Sequence, residues 1–187
     1  MWRAYGVFLE GLASAQSGAE DNGLQGMHRG TELLRDQNTL MFDGLVKIAL
    51  AEVEARASDD SCAVAILDEA LATSEKIGHR AFDAELNRTR GEMLLKRDPA
   101  SPIPAEEAFR TAIAVAKQQG TRSFELRASL SLAKLYQSTN RAAEAHAVLV
   151  PALEGFSPTP EIAEAQALLE HLVVIGAPIA EARGPES

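Results

Sequence analysis

Cysteine, aromatic side chains and positive charge are all scarce in this chain of 187 residues. The single cysteine, Cys62, excludes an internal disulfide and any cysteine-rich metal site. Its neighbours Ala63, Val64 and Ala65 predict an inert buried thiol. Aromatics at 5% argue against a β-sandwich, whose strands draw on aromatic and β-branched residues. Eighteen basic residues against 27 acidic leave a net charge of −9, which repels phosphate backbones and predicts no nucleic-acid partner. Long apolar runs are missing too. The longest, Leu172 to Ala180, is broken by Gly176 and Pro178 and is too short to span a bilayer, so no membrane partner is expected. The start, MWRAYGVFLEG, lacks the apolar core of a signal peptide and carries Glu10, and a cytoplasmic location is expected.

What is present is a period. Hydrophobic residues make up 46% of the chain, rich in Ala and Leu, a composition suited to close helix packing and not to disorder. In SLAKLYQSTNRAAEAHAVL (131–149), Leu132-Ala133 is followed by Tyr136, a turn at Ser138-Thr139-Asn140, then Ala145, Leu149 and Ala152. That is the order of the tetratricopeptide pattern. The small residue Ala133 precedes Ala145 by 12 positions, and the same spacing joins Ala51 to Ala63 and Gly11 to Gly23. Gly91 leads to Ala108 across a longer gap that holds DPASPIP (98–104). The small residues 11, 51, 91 and 133 are spaced by 40, 40 and 42, longer than the standard repeat of about 34. Where two helices cross, Gly or Ala lets the backbones approach, and a large residue four positions on (Met27, Leu67, Leu149) fills the space beside them. The third unit has Ala112 there, with Phe109 and Ile113 placed to supply the volume.

The expected fold is therefore all-α: a tetratricopeptide-like α-solenoid of four helix pairs plus a C-terminal capping helix. The repeat domain spans 1–176, with units at about 2–37, 39–78, 80–120 and 121–156, a cap at 159–175 and a flexible tail at 177–187. Nine helices are predicted: 2–16, 20–36, 39–57, 60–77, 80–97, 104–119, 122–138, 141–155 and 159–175. Gly78 and Gly120 fit left-handed helix stops. Asp60 and Thr121 fit N-caps, and Thr159-Pro160 fits a cap followed by proline at the first helical position. The proline-rich turn 98–104 reads as a stiff spacer, with a recognition segment as the alternative.

Particular segments resemble a known family. WRAYGVFLEG (2–11), LDEALA (67–72), ELNRTRGEMLLKRDP (85–99), AEEAFRTAIAVAKQQGTRSFELRASLSLAKL (105–135) and SPTPEIAEAQALLE (157–170) are similar to the C-terminal helical repeats of large bacterial signalling proteins. In those proteins a class III adenylate/guanylate cyclase domain or a DNA-binding transcriptional-activator domain comes first, and a predicted nucleotide-binding ATPase module follows. The resemblance implies a regulatory or partner-sensing arm. It carries no catalytic residues over, because this chain has no GxxxxGK[ST] phosphate loop and no identifiable cyclase aspartate pair.

Chemistry of its own is not legible in the chain. His28, His79, His146 and His171 lie in no HExxH motif, and no metal site or cofactor is expected. His79 reads as a solvated turn residue, His146 and His171 as packed or half-exposed. The pairs Asp59-Asp60, Asp68-Glu69 and Glu106-Glu107 point about 100° apart on a helix and do not converge; the first and last favour helix starts. No Ser-His-Asp arrangement appears. The expected working surface is the concave face of the array, lined by the first helix of each pair. It maps to Leu45, Ile48, Glu52 and Arg56, then Glu85, Arg88, Glu92 and Lys96, then Arg127, Leu130, Lys134 and Gln137. The same residues also fit ordinary solvated pairs such as Glu52–Arg56, Arg88–Glu92 and Glu92–Lys96.

Three functions fit these features. The first is a non-catalytic protein–protein interaction module that binds a protein or peptide segment, such as another domain of its parent protein, in the groove. Arg88→Glu and Lys134→Glu would then weaken binding without unfolding the chain. The second is homodimerisation, with MWRAYGVF packing on a second copy. The third is a chain labelled cyclase or ATPase by inheritance from its parent.

Overall fold

The computed structural model describes residues 2–57, 60–156 and 160–176. Those residues form nine helices and no strand. The helices are α1 (Trp2–Gln16), α2 (Glu20–Asp36), α3 (Asp43–Ala57), α4 (Asp60–Ile77), α5 (Asp83–Arg97), α6 (Ile103–Gln119), α7 (Arg122–Ser138), α8 (Ala142–Leu153) and α9 (Pro160–Gly176). The chain divides within α7 into two compact units, Met1–Ala128 and Ser129–Ser187.

In the first unit, α1 packs on α2, α3 on α4 and α5 on α6. Helix α3 also touches α1, α2 and α5, so it is enclosed on several sides. The α1–α2 contact is a crossing of backbones. A methyl at Gly23 would lie 2.5 Å from the Ala15 Cβ, one at Gly26 2.9 Å from the Gly11 Cα, and one at Gly30 2.6 Å from the Phe8 Cβ. Partners on α1 move backward as α2 advances, so the two helices run antiparallel. The large residue beside each crossing is interior: Met27, Leu67 and Leu149 are fully buried. Each contributes about 1.5–3 kcal/mol by leaving water. At the third crossing a methyl on Gly91 would stand 2.6 Å from the Phe109 ring. Phe109 and Ile113 are buried there, and they supply the volume that Ala112 lacks.

Helix ends follow local chemistry. Gly78 and Gly120 adopt φ of +72° and +68°, the left-handed stop that glycine permits without a Cβ penalty. Asn38 and Asn140 do the same at +50° and +59°. Two helices start later than their periodicity suggests: α3 begins at Asp43 and not 39, and α5 at Asp83 and not 80. In both, a turn comes first, closed by the Asp43 N–H donating to the Leu40 carbonyl and the Asp83 N–H to the Arg80 carbonyl, each at 3.1 Å. Thr121 precedes α7, but its hydroxyl donates to the Ala116 carbonyl at 3.3 Å, serving the end of α6 and not the start of α7. The Asp60 side chain and residue Thr159 lie outside the described residues, and α9 starts at Pro160. The proline-rich turn ends as α6 begins, with Pro104 in its first turn.

In the second unit α8 packs on α9. Its interior holds Leu132, Ala133, Leu135, Tyr136, Ala145, Leu149, Ala152, Ile162, Ala165 and Leu172. The Arg141 N–H donates to the Tyr136 carbonyl at 2.7 Å, and the Arg141 guanidinium lies 4.1 Å above the Tyr136 ring. The tight turn at Ser138-Thr139-Asn140 is held from both sides.

Candidate interaction surface

The residues expected on a concave face do not share one environment. On α3, Leu45 is exposed at 52%, whereas Ile48 is buried. Glu52 is half-buried and Arg56 is exposed. On α5, Glu85 is buried, and the Arg88 side chain is only 12% exposed. In the second unit Leu130 is buried, Gln137 half-buried and Lys134 exposed, its ammonium 2.7 Å from Glu164. Ile48, Glu85 and Leu130 therefore belong to the interior and offer nothing to a partner. Enclosure explains the first two: α3 and α5 pack on each other as well as on their own partners, which covers flanks that an isolated pair would leave in water.

Charge knits that flank together. Arg88 donates to Glu85 at 2.8 Å and also to Glu92, and Arg127 donates to the same Glu85 oxygen at 3.0 Å. Lys96 donates to the Ala55 carbonyl, joining α5 to α3. Burial pulls the Arg88 pKa down, but the Glu85 hydrogen bond and the charges of Glu92 and Glu85 outweigh it, and the net shift is upward. Arg88 is thus a cation held in the fold. The expectation that Arg88→Glu leaves the chain folded is corrected: a carboxylate there would face Glu85 and Glu92 with little water to screen them. The Arg88–Glu92 pair is present as the spacing predicts.

Glu52 differs from its neighbours. It makes no hydrogen bond or ion pair among the described residues. Burial raises its carboxyl pKa above the ordinary glutamate value; Arg88 opposes the shift, and Glu92 and Glu85 reinforce it. Arg56, one turn further along α3 and exposed, also opposes the shift, yet neither arginine bonds to Glu52: this half-buried carboxylate, with acids around it, has no ion pair among the described residues.

One and two turns before Glu52 on the same face of α3 lie Ala49 and Leu45, and these open onto an apolar cleft of about 630 Å³. Its other wall is α1, through Trp2, Tyr5, Leu9 and Leu12, with Phe42 at one end. Trp2 is 80% exposed, and Leu9 and Phe42, which line the same cleft, are exposed too. The Tyr5 and Phe42 rings meet edge to face with centroids 6.1 Å apart. Burial raises the Tyr5 phenol pKa, the Phe42 backbone lowers it and the Asp43 charge raises it.

Helix α1 carries two apolar stripes. Ala4, Phe8, Gly11 and Ala15 face the α2 crossing and are buried. Trp2, Tyr5, Leu9 and Leu12 recur at i, i+3, i+7 and i+10 and form the second. Sequence reasoning missed this wall because it assigned the aromatic start of the chain wholly to self-association. The second stripe was the available signal.

Other candidates are exposed or structural. Cys62 is exposed, contrary to the expected buried thiol; α4 buries Ala63, Val64, Ile66, Leu67 and Ala70, and residue 62 falls off that stripe. His146 and His171 are exposed and not packed, and His79 is exposed in its turn. The His28 Nε2 lies 2.6 Å from Glu54, linking α2 to α3. Buried Lys47 lies 3.2 Å from Glu69, which also pairs with Arg35. Among the described residues no cluster of His, Cys, Asp and Glu could hold a metal ion. No helix among them is long and apolar enough to cross a membrane. The chain matches no family model and no curated protein.

Proposed function

We propose that the chain is a non-catalytic, tetratricopeptide-like interaction module that binds a segment of a partner protein. The observation that carries this reading is the open apolar cleft between α1 and α3, rimmed by exposed Trp2, Leu9, Phe42 and Leu45. A contiguous exposed apolar patch on a water-soluble surface costs free energy unless something covers it part of the time. The antiparallel, glycine-crossed pair α1–α2 and the side-by-side contacts of α1, α3 and α5 favour a repeat array whose first helices line a groove. The resemblance to the repeat arms of bacterial signalling proteins makes another domain of a parent protein a natural partner. Catalysis then belongs to that parent and not to this chain.

The test compares wild-type chain with Leu45→Asp as bait in the source lysate. Leu45 is half in water, so the variant is expected to fold, which its circular dichroism at 222 nm checks. A protein captured by the wild type and lost by the variant supports the reading. Capture of the same proteins by both removes the cleft from it. Immunoblotting the same lysate gives the native mass: a band well above 20.0 kDa places the chain in a larger protein. Self-association is the second reading, favoured by the same exposed Trp2 and Leu9. Sedimentation over a range of concentrations decides it.

A further inference from the structure

Building on that reading, we infer that the cleft takes a basic amphipathic segment: large apolar side chains seated between α1 and α3, and a lysine or arginine placed on Glu52. Two independent observations meet at this point. The first is shape and polarity. The cleft is walled almost wholly by apolar side chains, and four of them, Trp2, Leu9, Phe42 and Leu45, stand exposed where the apolar side chains of a helix or extended segment could reach them. The second is charge. Leu45, Ala49 and Glu52 follow one another on one face of α3, so the apolar floor runs into a carboxylate. That carboxylate is half-buried and makes no hydrogen bond or ion pair among the described residues; nearby Arg88 is committed to Glu85 and Glu92, and Arg56, the other cation whose charge reaches it, is exposed and forms no ion pair with it. A cation arriving with the partner would complete the set. An acidic segment would add a charge beside Glu52, Glu85 and Glu92.

The same reasoning disfavours a second copy as occupant. Two copies each bring a net charge of −9 to the contact. A basic segment instead gains from the field of the whole chain as it approaches.

The chain carries its own reporter, since its only tryptophan, Trp2, stands exposed at the mouth of the cleft. The probes are two synthetic amphipathic peptides, one of leucine and lysine at helical spacing and one with glutamate in place of lysine. The full chain is titrated with each while Trp2 emission is followed. The lysine peptide is expected to shift the emission to shorter wavelength and to bind about tenfold more tightly than the glutamate peptide. Glu52→Gln is expected to weaken the lysine peptide roughly two- to fivefold. Glu107→Gln, an exposed acid on α6, makes the same change in net charge and is expected to leave affinity unchanged. Leu45→Asp removes binding of both peptides.

Equal affinity for the two peptides, or equal effects of Glu52→Gln and Glu107→Gln, overturns the basic partner while leaving the interaction reading standing. No emission change with either peptide overturns the inference, and the lysate comparison still decides the interaction reading. A concentration-dependent blue shift of the free chain, with a dimer that Leu45→Asp dissolves, overturns it in favour of a second copy.

Discussion

Two glycines on one helix should respond to the same substitution with opposite signs. Gly6 and Gly11 both lie inside α1. Replacing either by alanine removes the conformational cost of a mid-helix glycine, a gain of about 0.5–1 kcal/mol. At Gly6 nothing lies within 4 Å of the new methyl, so the gain stands alone. At Gly11 the methyl would sit 2.5 Å from the Met27 nitrogen, 2.7 Å from the Gly23 carbonyl oxygen and 2.8 Å from the Gly26 carbonyl carbon. All three are backbone atoms of α2, so no rotamer change relieves the contact. The helices must separate, and overpacking of this kind costs about 1–3 kcal/mol, here toward the upper end. Net of the helix gain, Gly11→Ala should lose about 2 kcal/mol, and the two variants should differ by roughly 3 kcal/mol. Urea unfolding followed by circular dichroism at 222 nm reads both. Gly6→Ala should move the midpoint up and Gly11→Ala should move it down, with slopes unchanged. A Gly11→Ala variant as stable as Gly6→Ala would refute the close crossing of α1 and α2.

Leu149→Ala, at a fully buried position, should cost about 2–5 kcal/mol by urea midpoint, whereas Ile103→Ala, at an exposed one, should stay within about 0.5 kcal/mol. Arg88→Ala strips Glu85 of one of its two cations and should cost about 3 kcal/mol, so it lowers the melting temperature before any effect on binding is read. Glu52 has a folded-state pKa above its unfolded value, so the folded chain holds that proton more tightly. Its penalty is absent below the unfolded value and grows as pH rises through the folded one. Glu52→Gln should therefore raise the melting temperature near neutral pH and lose that advantage at about pH 3, where the carboxyl is protonated in both states. A pH-independent difference would refute the burial of this carboxyl.

The chain's local chemistry determined the helices. The left-handed stops at Gly78, Gly120 and Asn140, the Gly/Ala positions twelve residues apart and the prolines of 98–104 are backbone requirements, and they predict boundaries that agree within a few residues. Met27, Leu67 and Leu149 were legible as core for the same reason, since a small residue at a crossing needs a large one beside it. Tertiary structure decided which flanks of the inner helices meet water. Helix α3 buries Val46, Lys47, Ile48, Leu50, Ala51, Val53, Glu54 and Ala55, nearly its whole circumference. A helix touched on several sides has no single apolar stripe, and buried Lys47 and Glu54 hide its interior character behind charge. Hence Ile48 and Glu85 read as groove residues from the sequence and lie inside. The cleft likewise needed two helices: the stripe of Trp2, Tyr5, Leu9 and Leu12 is written in α1, but only packing sets it across from Leu45 and Ala49 of α3.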